Sequence, residues 1–301
     1  MSAPRAGAVT LSPLAGVRHV VADYVELTKP RITLMVVLTA FVGYALGSTG
    51  SILTGRLAAA LAGTALVAAG ASCLNMVLER RTDSLMLRTR NRPLPAGRLH
   101  PPEALAWGLA LTTSGLILLA WRTGALAAAV AFATWASYLF FYTPLKTRTS
   151  LSTIVGALPG ALPPVIGWAA ARGRLEPGAF VLFAIVFLWQ IPHFLAIAWI
   201  YREDYARGGL PMLPVLDPDG RLTGRQAVAN TLALLLVSLA PTAAGIAGRS
   251  YFAGAIVLGV GFTAVAVRAA VLRTPRAARW LFVASILYLV SLCALLLADR
   301  A

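Results

Sequence analysis

The residues whose types and spacing could do chemistry lie in one short stretch, NMVLERRTD, which follows a long uncharged run. Asn75, Glu79 and Asp83 are each separated by four residues. On a helix, steps of four residues advance about 400°, so the three oxygen-bearing side chains form one stripe that rises about 6 Å per step. Mg²⁺ binds oxygen ligands, usually one or two carboxylates together with waters and phosphate oxygens. The stripe therefore predicts one face of a divalent-metal site, although a single acid can also simply neutralise a neighbouring arginine.

A second acidic pair, Glu203 and Asp204, follows another apolar run, and basic residues accompany both clusters. Guanidinium and ammonium groups bind phosphate oxygens. Acids, a divalent cation and basic residues at one membrane face together predict a diphosphate site, and an isoprenoid diphosphate fits because its tail can enter the membrane. Membrane orientation alone would also place basic residues here, so each is open to both interpretations. The basic residues beside the clusters are Arg88, Arg90, Arg92 and Lys146.

Uncharged runs long enough to cross a bilayer recur along the whole chain. The 301 residues are 58% hydrophobic and only 12% charged, which is about half the charge share of a soluble domain. Since a membrane-spanning helix needs about 20 apolar residues, the runs predict an all-α integral membrane protein, a bundle of about nine transmembrane helices. The predicted spans are residues 31–50, 57–79, 101–121, 124–143, 151–171, 177–199, 226–247, 251–271 and 280–298.

The positive charge is distributed unevenly between the two sides of the predicted bundle. Of the 26 Lys and Arg residues, 20 lie in the N-terminal segment and the alternate loops on its side. This bias predicts a cytoplasmic N-terminus and cytoplasmic acidic clusters, and it explains the net charge of +15 better than nucleic-acid binding does. We expect residues 1–30 to form a cytoplasmic or interfacial segment and residues 31–301 to form a single transmembrane domain. The many small residues predict close helix packing.

Prolines interrupt the fifth predicted span within GALPGALPPVIGW (156–168). A proline inside a helix removes a hydrogen bond and bends the helix. The bend would free carbonyl groups beside a cavity, or it would only improve packing. Aromatic residues such as Tyr138, Tyr142 and Trp189 could line such a cavity, but aromatic belts at the membrane interface explain them equally well.

Several strings make a family resemblance specific. The chain resembles the intramembrane (UbiA-type) prenyltransferases, which include 4-hydroxybenzoate polyprenyltransferases, and within them the protohaem IX farnesyltransferases, also called haem O synthases. The strings are LTKPRIT (27–33), RTRNRPLPAGRL (88–99), YTPLKTRT (142–149), GALPGALPPVIGW (156–168), WQIPHFLAIAW (189–199) and DYARGGLPMLPV (204–215). Residues 226–301 carry no matching motif.

The resemblance implies farnesyl transfer from farnesyl diphosphate to a vinyl group of haem b (protohaem IX), giving haem O, with Mg²⁺ as cofactor. It implies a multi-pass protein of the cell membrane, with haem A synthase or cytochrome oxidase assembly factors as candidate partners. The residues that it implicates in catalysis and metal binding are Asn75, Glu79, Asp83 and Asp204. Those that it implicates in diphosphate binding are Arg88, Arg92, Lys146 and Arg207.

Two positions qualify the resemblance. The family usually has Asp where this chain has Glu79, so we expect metal binding with a shifted geometry. His193 is a candidate haem ligand, because imidazole is the commonest axial ligand of haem iron, but it could equally be a histidine that is hydrogen-bonded inside the bundle. The alternatives to the whole assignment are another prenyltransferase that acts on an aromatic acid or quinone precursor, or a membrane transporter or haem-handling protein.

Overall fold

The computed structural model describes residues 13–52 and 54–300 of the chain. Residues 1–12, which belong to the predicted N-terminal segment 1–30, lie outside the described residues. In chain order the helices are α1 (Pro13–Leu27), α2 (Pro30–Gly47), α3 (Gly55–Leu85), α4 (Pro101–Arg122), α5 (Ala125–Ala136), a π-helical turn (Ser137–Tyr142), α6 (Thr143–Leu145), α7 (Ser152–Ala161), α8 (Pro163–Arg172), α9 (Pro177–Ile200), α10 (Arg202–Arg207), α11 (Leu213–Leu216), α12 (Arg221–Val237), α13 (Ala240–Ala243), α14 (Arg249–Leu272) and α15 (Pro275–Ala298).

Nine helical stretches within the described residues are long and apolar enough to cross a membrane, which confirms the predicted number. They are Pro30–Gly47, Gly55–Leu85, Pro101–Arg122, Ala125–Leu145, Ser152–Arg172, Pro177–Ile200, Arg221–Ala243, Arg249–Leu272 and Pro275–Ala298.

The largest difference from the predicted boundaries is in α3. The apolar run predicts a span that ends at residue 79, but the helix continues to Leu85. At 1.5 Å per residue the added part is about 9 Å long. Hydropathy indicates where the chain leaves the apolar layer of the membrane. The helix itself continues until its backbone hydrogen bonds end, at Met86, whose backbone is extended. All three residues of the oxygen-bearing stripe consequently lie on one rigid helix.

The acid-bearing ends of α3 and α9 lie at the same end of the bundle. The side chain of Asp204, just after α9, accepts hydrogen bonds from backbone amides just after α3. At the opposite end, Arg56 donates to the carbonyl of Thr123 and Arg300 donates to the carbonyl of Ala45. A cavity of about 570 Å³ opens at that opposite end, between the C-terminal ends of α2 and α8 and the start of α9.

Small residues allow α2 and α8 to approach closely, as the composition predicts. A Cβ atom on Gly43 would overlap the carbonyl of Pro164, and one on Gly167 would overlap the carbonyl of Ala40. The prolines break the fifth span at Leu162, between α7 and α8. Because the broken part is the one that packs so tightly on α2, the structure favours the packing interpretation of these prolines.

Candidate active site

The oxygen-bearing stripe begins with a buried amide that joins three elements. Asn75 is 1% exposed. Its Oδ1 atom accepts a hydrogen bond from Lys29 Nζ at 2.8 Å, and its Nδ2 atom donates to Thr143 Oγ1 at 3.1 Å. Lys29 precedes α2 and Thr143 begins α6, so Asn75 connects the start of the first span and the end of the fourth span to α3.

Both carboxylates of the stripe are paired with basic residues of neighbouring loops. Glu79 accepts from Lys146 Nζ at 2.8 Å, and Asp83 pairs with Arg92 at 2.7 Å. The Asp83 side chain is 2% exposed and the Arg92 side chain 19% exposed, so this pair is shielded from solvent. The structure thus brings together the stripe and two of the four predicted diphosphate-binding residues.

The electrostatics of this group favour an added anion. Lys29, Lys146 and Arg92 surround the carboxylates of Glu79 and Asp83, which leaves an excess of positive charge. Burial lowers the pKa of Lys29 to about 8, an effect that the Glu79 carboxylate opposes and that Arg92 and Lys146 reinforce. Burial alone would also lower the pKa of Lys146, but the contact with Glu79 raises it well above its ordinary value. A phosphate group would relieve the repulsion among the three cations.

Asp204 belongs to a second group beside the first. Its carboxylate is buried and accepts from the backbone amides of Leu87 and Arg88, each at 3.1 Å. Arg207 pairs with the same carboxylate at 3.1 Å, and the Arg88 guanidinium lies 5.1 Å from the centre of the Tyr201 ring. Arg88 and Arg207, the other two predicted diphosphate-binding residues, therefore belong to this second group. Asp204 holds the loop after α3 in place, and its predicted role as a metal ligand stays a prediction.

The donor set of the stripe fits a metal ion that arrives with a phosphate. Among the side chains that the structure describes, those of residues 20–52 and 54–300, no three acidic, histidine or cysteine groups are close enough to hold a metal between them. Asn75, Glu79 and Asp83 offer two carboxylates and one amide, all on one helix face. Because Mg²⁺ commonly completes its coordination with waters and substrate phosphates, two carboxylates are sufficient for such a site.

Aromatic faces border the basic group. Tyr138 and Tyr142, in the π-helical turn, lie with ring centres 5.4 Å apart, and Lys146 Nζ lies 5.3 Å from the centre of the Tyr142 ring. Single π-helical turns occur often at functional sites because they change the direction of side chains. Here the turn places two aromatic rings beside Lys146, the residue that binds Glu79.

His193 lies on α9 and is held by α15. Its Nδ1 atom is 2.7 Å from Ser285 Oγ, and its ring stacks on Trp189 and Phe282, with centres 4.9 and 5.0 Å away. The Nδ1 atom of His193 is therefore hydrogen-bonded inside the bundle, as one of the two interpretations of this residue predicts. Haem binding by this residue stays a prediction.

Comparison with known proteins identifies the family. A model of the UbiA prenyltransferase family matches residues 36–295. The chain belongs to this family. A protein named protoheme IX farnesyltransferase from Solibacter usitatus (strain Ellin6076) is 49% identical over 287 residues, which cover 92% of this chain and 98% of that protein. Further relatives with the same name are 40–46% identical. The resemblance predicted from the sequence strings is confirmed.

Solved structures of UbiA proteins share the fold at low sequence identity. A digeranylgeranylglyceryl phosphate synthase structure, 16% identical, superposes with a TM-score of 0.77 and covers 93% of this chain and 98% of that one. A UbiA homologue from Archaeoglobus fulgidus bound to GPP and Mg²⁺, 17% identical, gives a TM-score of 0.66, with 92% and 99% coverage. The predicted all-helical membrane fold is confirmed, and the chain is a multi-pass membrane protein.

Sequence reasoning missed two residues of this UbiA site, Lys29 and Thr143. Each lies in a string that carries the resemblance, LTKPRIT and YTPLKTRT, and each is followed by a proline in the first turn of a helix. Lys29 also has a positive φ of 47°, which is unusual for a residue other than glycine. The available signal was a basic or hydroxyl residue just before a proline in the first turn of a helix, inside a string shared with the family.

Proposed function

We propose that this protein transfers the farnesyl group of farnesyl diphosphate to a vinyl group of haem b, giving haem O. The observation that carries the proposal is 49% identity, over 92% of the chain, to a protein named protoheme IX farnesyltransferase. The grouping of oxygen ligands and cations at one end of the bundle supports it independently, because it is the chemistry that a prenyl diphosphate requires.

In the proposed site, Asn75, Glu79 and Asp83 would hold Mg²⁺, and Asp204 would complete the metal site from the other half of the bundle. Asp204 would have to exchange its contacts with the backbone amides after α3 to do so. The bound metal would supply Lewis-acid stabilisation of the leaving diphosphate. The A. fulgidus homologue, which has the same fold, is bound to GPP and Mg²⁺, and this supports Mg²⁺ and a prenyl diphosphate as the ligands.

The basic residues would bind the diphosphate. Arg92 and Lys146 would pass from the carboxylates to phosphate oxygens as the metal takes their place, while Arg88 and Arg207 would approach from the second group. The allylic C–O bond then breaks and the diphosphate keeps the electron pair. The rings of Tyr138 and its neighbour Tyr142 would border the positive charge that develops on the farnesyl carbon.

The acceptor in this proposal is the vinyl group of haem b. Its terminal carbon attacks the allylic carbon, and water adds to the resulting benzylic-type cation and loses a proton, which leaves a hydroxyl group. His193 would bind the haem iron through Nε2, the ring nitrogen that is not engaged with Ser285. Haem A synthase and oxidase assembly factors as partners stay a prediction from the resemblance alone.

We also propose that the N-terminus and the loops that carry the site face the cytoplasm, at the cell membrane, and that residues 31–301 form one transmembrane domain. The distribution of 20 of the 26 Lys and Arg residues on one side supports this orientation. A cysteine introduced at Ala96, an exposed residue of the loop after α3, should react with an impermeant thiol reagent only when the inner face of the membrane is accessible. Reaction in intact cells would contradict the orientation.

The test of function is an assay with membranes that contain the protein, haem b, farnesyl diphosphate and Mg²⁺. Mass spectrometry should detect a porphyrin that carries a hydroxyethyl-farnesyl group. Asp83→Ala and Asp204→Ala should abolish the product with the protein still inserted, whereas Asp219→Ala, an exposed acid at the same end, should not. Full activity of Asp83→Ala or Asp204→Ala would remove that residue from the metal site.

The same assay separates the alternatives. If haem b gives no product but 4-hydroxybenzoate becomes prenylated, the protein is a prenyltransferase for aromatic acids. If neither acceptor reacts and haem crosses vesicles that contain the protein, it is a haem-handling protein, and the proposal fails.

A further inference from the structure

A chain of two hydrogen bonds defines the protonation of the His193 ring. His193 Nδ1 lies 2.7 Å from Ser285 Oγ, and the Ser285 hydroxyl donates to the carbonyl of Phe282 at 2.6 Å. A serine hydroxyl has a single proton. Since that proton is directed at the Phe282 carbonyl, Ser285 Oγ must accept a hydrogen bond from His193, and Nδ1 is therefore the ring nitrogen that carries the proton.

The other ring nitrogen is left as a lone-pair donor. In a neutral imidazole with the proton on Nδ1, Nε2 has no proton. The Nε2 atom has no hydrogen-bond partner among the residues that the structure describes, and the His193 side chain is only half-buried. His193 is thus fixed at Nδ1, while Nε2 keeps a lone pair that can bind a ligand.

The surrounding side chains also fix the orientation of the ring. Trp189 and Phe282 stack on His193 at interplanar angles of 23° and 30°. Trp189 Nε1 donates to the carbonyl of Ser285 at 2.6 Å, and Ser285 is fully buried. Three contacts thus come from one short segment of α15. Ser285 Oγ accepts the hydrogen bond that sets the tautomer, the Phe282 ring stacks on His193, and the Ser285 carbonyl holds Trp189, the other stacked ring.

We propose that Ser285 is a positioning residue that holds His193 in the Nδ1–H tautomer, so that Nε2 binds the iron of haem b. The inference rests on the proposed function, because it takes haem as the substrate. A histidine that binds a metal usually donates its second N–H to a fixed acceptor, which orients the ring and makes the binding nitrogen more basic. The proposed role of Ser285 also gives a function to α15, which lies in the part of the sequence without a matching motif.

The test compares two porphyrins on the purified protein. Iron(III) protoporphyrin IX can form an axial bond, whereas metal-free protoporphyrin IX has the same shape and cannot. We expect Ser285→Ala to weaken binding of the iron porphyrin about 10- to 100-fold, as is typical for loss of such an acceptor, and to change binding of the metal-free porphyrin less than about twofold. The absorbance and electron paramagnetic resonance signals of imidazole-bound iron should fall in parallel.

Two further variants complete the design. Ser285→Thr keeps the hydroxyl and should restore the affinity and the signals of imidazole-bound iron. Ser291→Ala, on the same helix, is the matched control and should resemble the unmodified protein. Equal affinity and equal spectra for Ser285→Ala and the unmodified protein would overturn the inference. So would an equal loss for both porphyrins, because that result indicates a damaged pocket. If the larger threonine side chain does not fit at position 285, the comparison of the two porphyrins on Ser285→Ala still tests the inference.

Failure of the proposed function has a different signature. If the unmodified protein makes no farnesylated porphyrin, yet His193→Ala and Ser285→Ala both remove the imidazole signal, the enzymatic proposal fails and the positioning role of Ser285 stands. If the product forms and His193→Ala keeps the imidazole signal, the enzymatic proposal stands and the inference about Ser285 fails.

Discussion

The ion pair between Arg92 and Asp83 allows a test of the metal site that needs no substrate. The two side chains are 2.7 Å apart, and Asp83 is almost fully buried. Removing one partner of a buried pair typically lowers stability by about 3–5 kcal/mol, because the remaining charge has no partner. Arg92 keeps 19% exposure, so water can reach part of the space that it leaves. We therefore expect Arg92→Ala to lower the free energy of unfolding by about 3 kcal/mol.

A divalent cation should replace the missing guanidinium. A ligand at 100 times its dissociation constant stabilises the protein that binds it by about 2.7 kcal/mol, which is close to the expected loss. At roughly 2 °C per kcal/mol for a large chain, Arg92→Ala should melt about 6 °C lower in metal-free buffer, and saturating Mg²⁺ should recover most of that difference. The unmodified protein should respond much less, because Arg92 already neutralises Asp83.

The measurement is thermal unfolding of the purified protein in detergent, with and without Mg²⁺. Arg98→Ala is the matched control, since this arginine of the same loop pairs with Asp23 and is 42% exposed. Asp23 itself is buried, but Arg98 is open to solvent. Water can therefore reach the carboxylate when Arg98 is lost, and this control should show a smaller loss than Arg92→Ala and a weak response to Mg²⁺. The double variant Asp83→Asn with Arg92→Ala should also respond weakly. An equal response to Mg²⁺ in the single and double variants would refute metal binding at Asp83.

Three further predictions follow from the same geometry. Gly43→Ala should lower stability by about 1–3 kcal/mol, as overpacking usually does, because its Cβ would overlap a carbonyl of α8. Gly261→Ala, in open space on α14, should melt at the same temperature or slightly higher, since alanine favours a helix. Glu79→Asp should keep activity within about tenfold because the carboxylate remains, and Glu79→Gln should lower kcat/KM about 100-fold in the farnesylation assay. Asp204→Asn keeps one acceptor oxygen and should lower stability by about 1–2 kcal/mol, with Asp219→Asn unchanged in the same unfolding experiment.

The number of spans was predictable because an apolar run of about 20 residues has few alternatives to a membrane-spanning helix. The end of α3 was not, since its last turn is polar and remains helical for reasons that hydropathy does not measure. The stripe of Asn75, Glu79 and Asp83 was predictable from spacing alone. The contact of Lys29 with Asn75 joins residues 46 positions apart, and it depends on how α2 packs against α3, which no local pattern encodes.

Ser285 shows a second limit of sequence reasoning. Ser285 is one of two serines in the apolar run of α15, and only the packing of α15 on α9 gives it the His193 partner. His193 drew attention because histidines are rare in this chain, but its tautomer depends on a hydroxyl 92 positions away. Residue types therefore predicted which side chains could react, whereas their protonation and pairing required the tertiary structure.

The pairing of acids with cations also explains how one site can serve both a metal and an anion. Buried charges without partners are strongly unfavourable, so in the absence of substrate Glu79 and Asp83 are held by Lys146 and Arg92. Mg²⁺ alone must compete with those cations for the carboxylates, and diphosphate alone must compete with the carboxylates for the cations. When both bind together, every released group gains a new partner, so their binding should be mutually favourable. Arg92→Ala removes the competitor at Asp83, which is why Mg²⁺ alone should stabilise that variant.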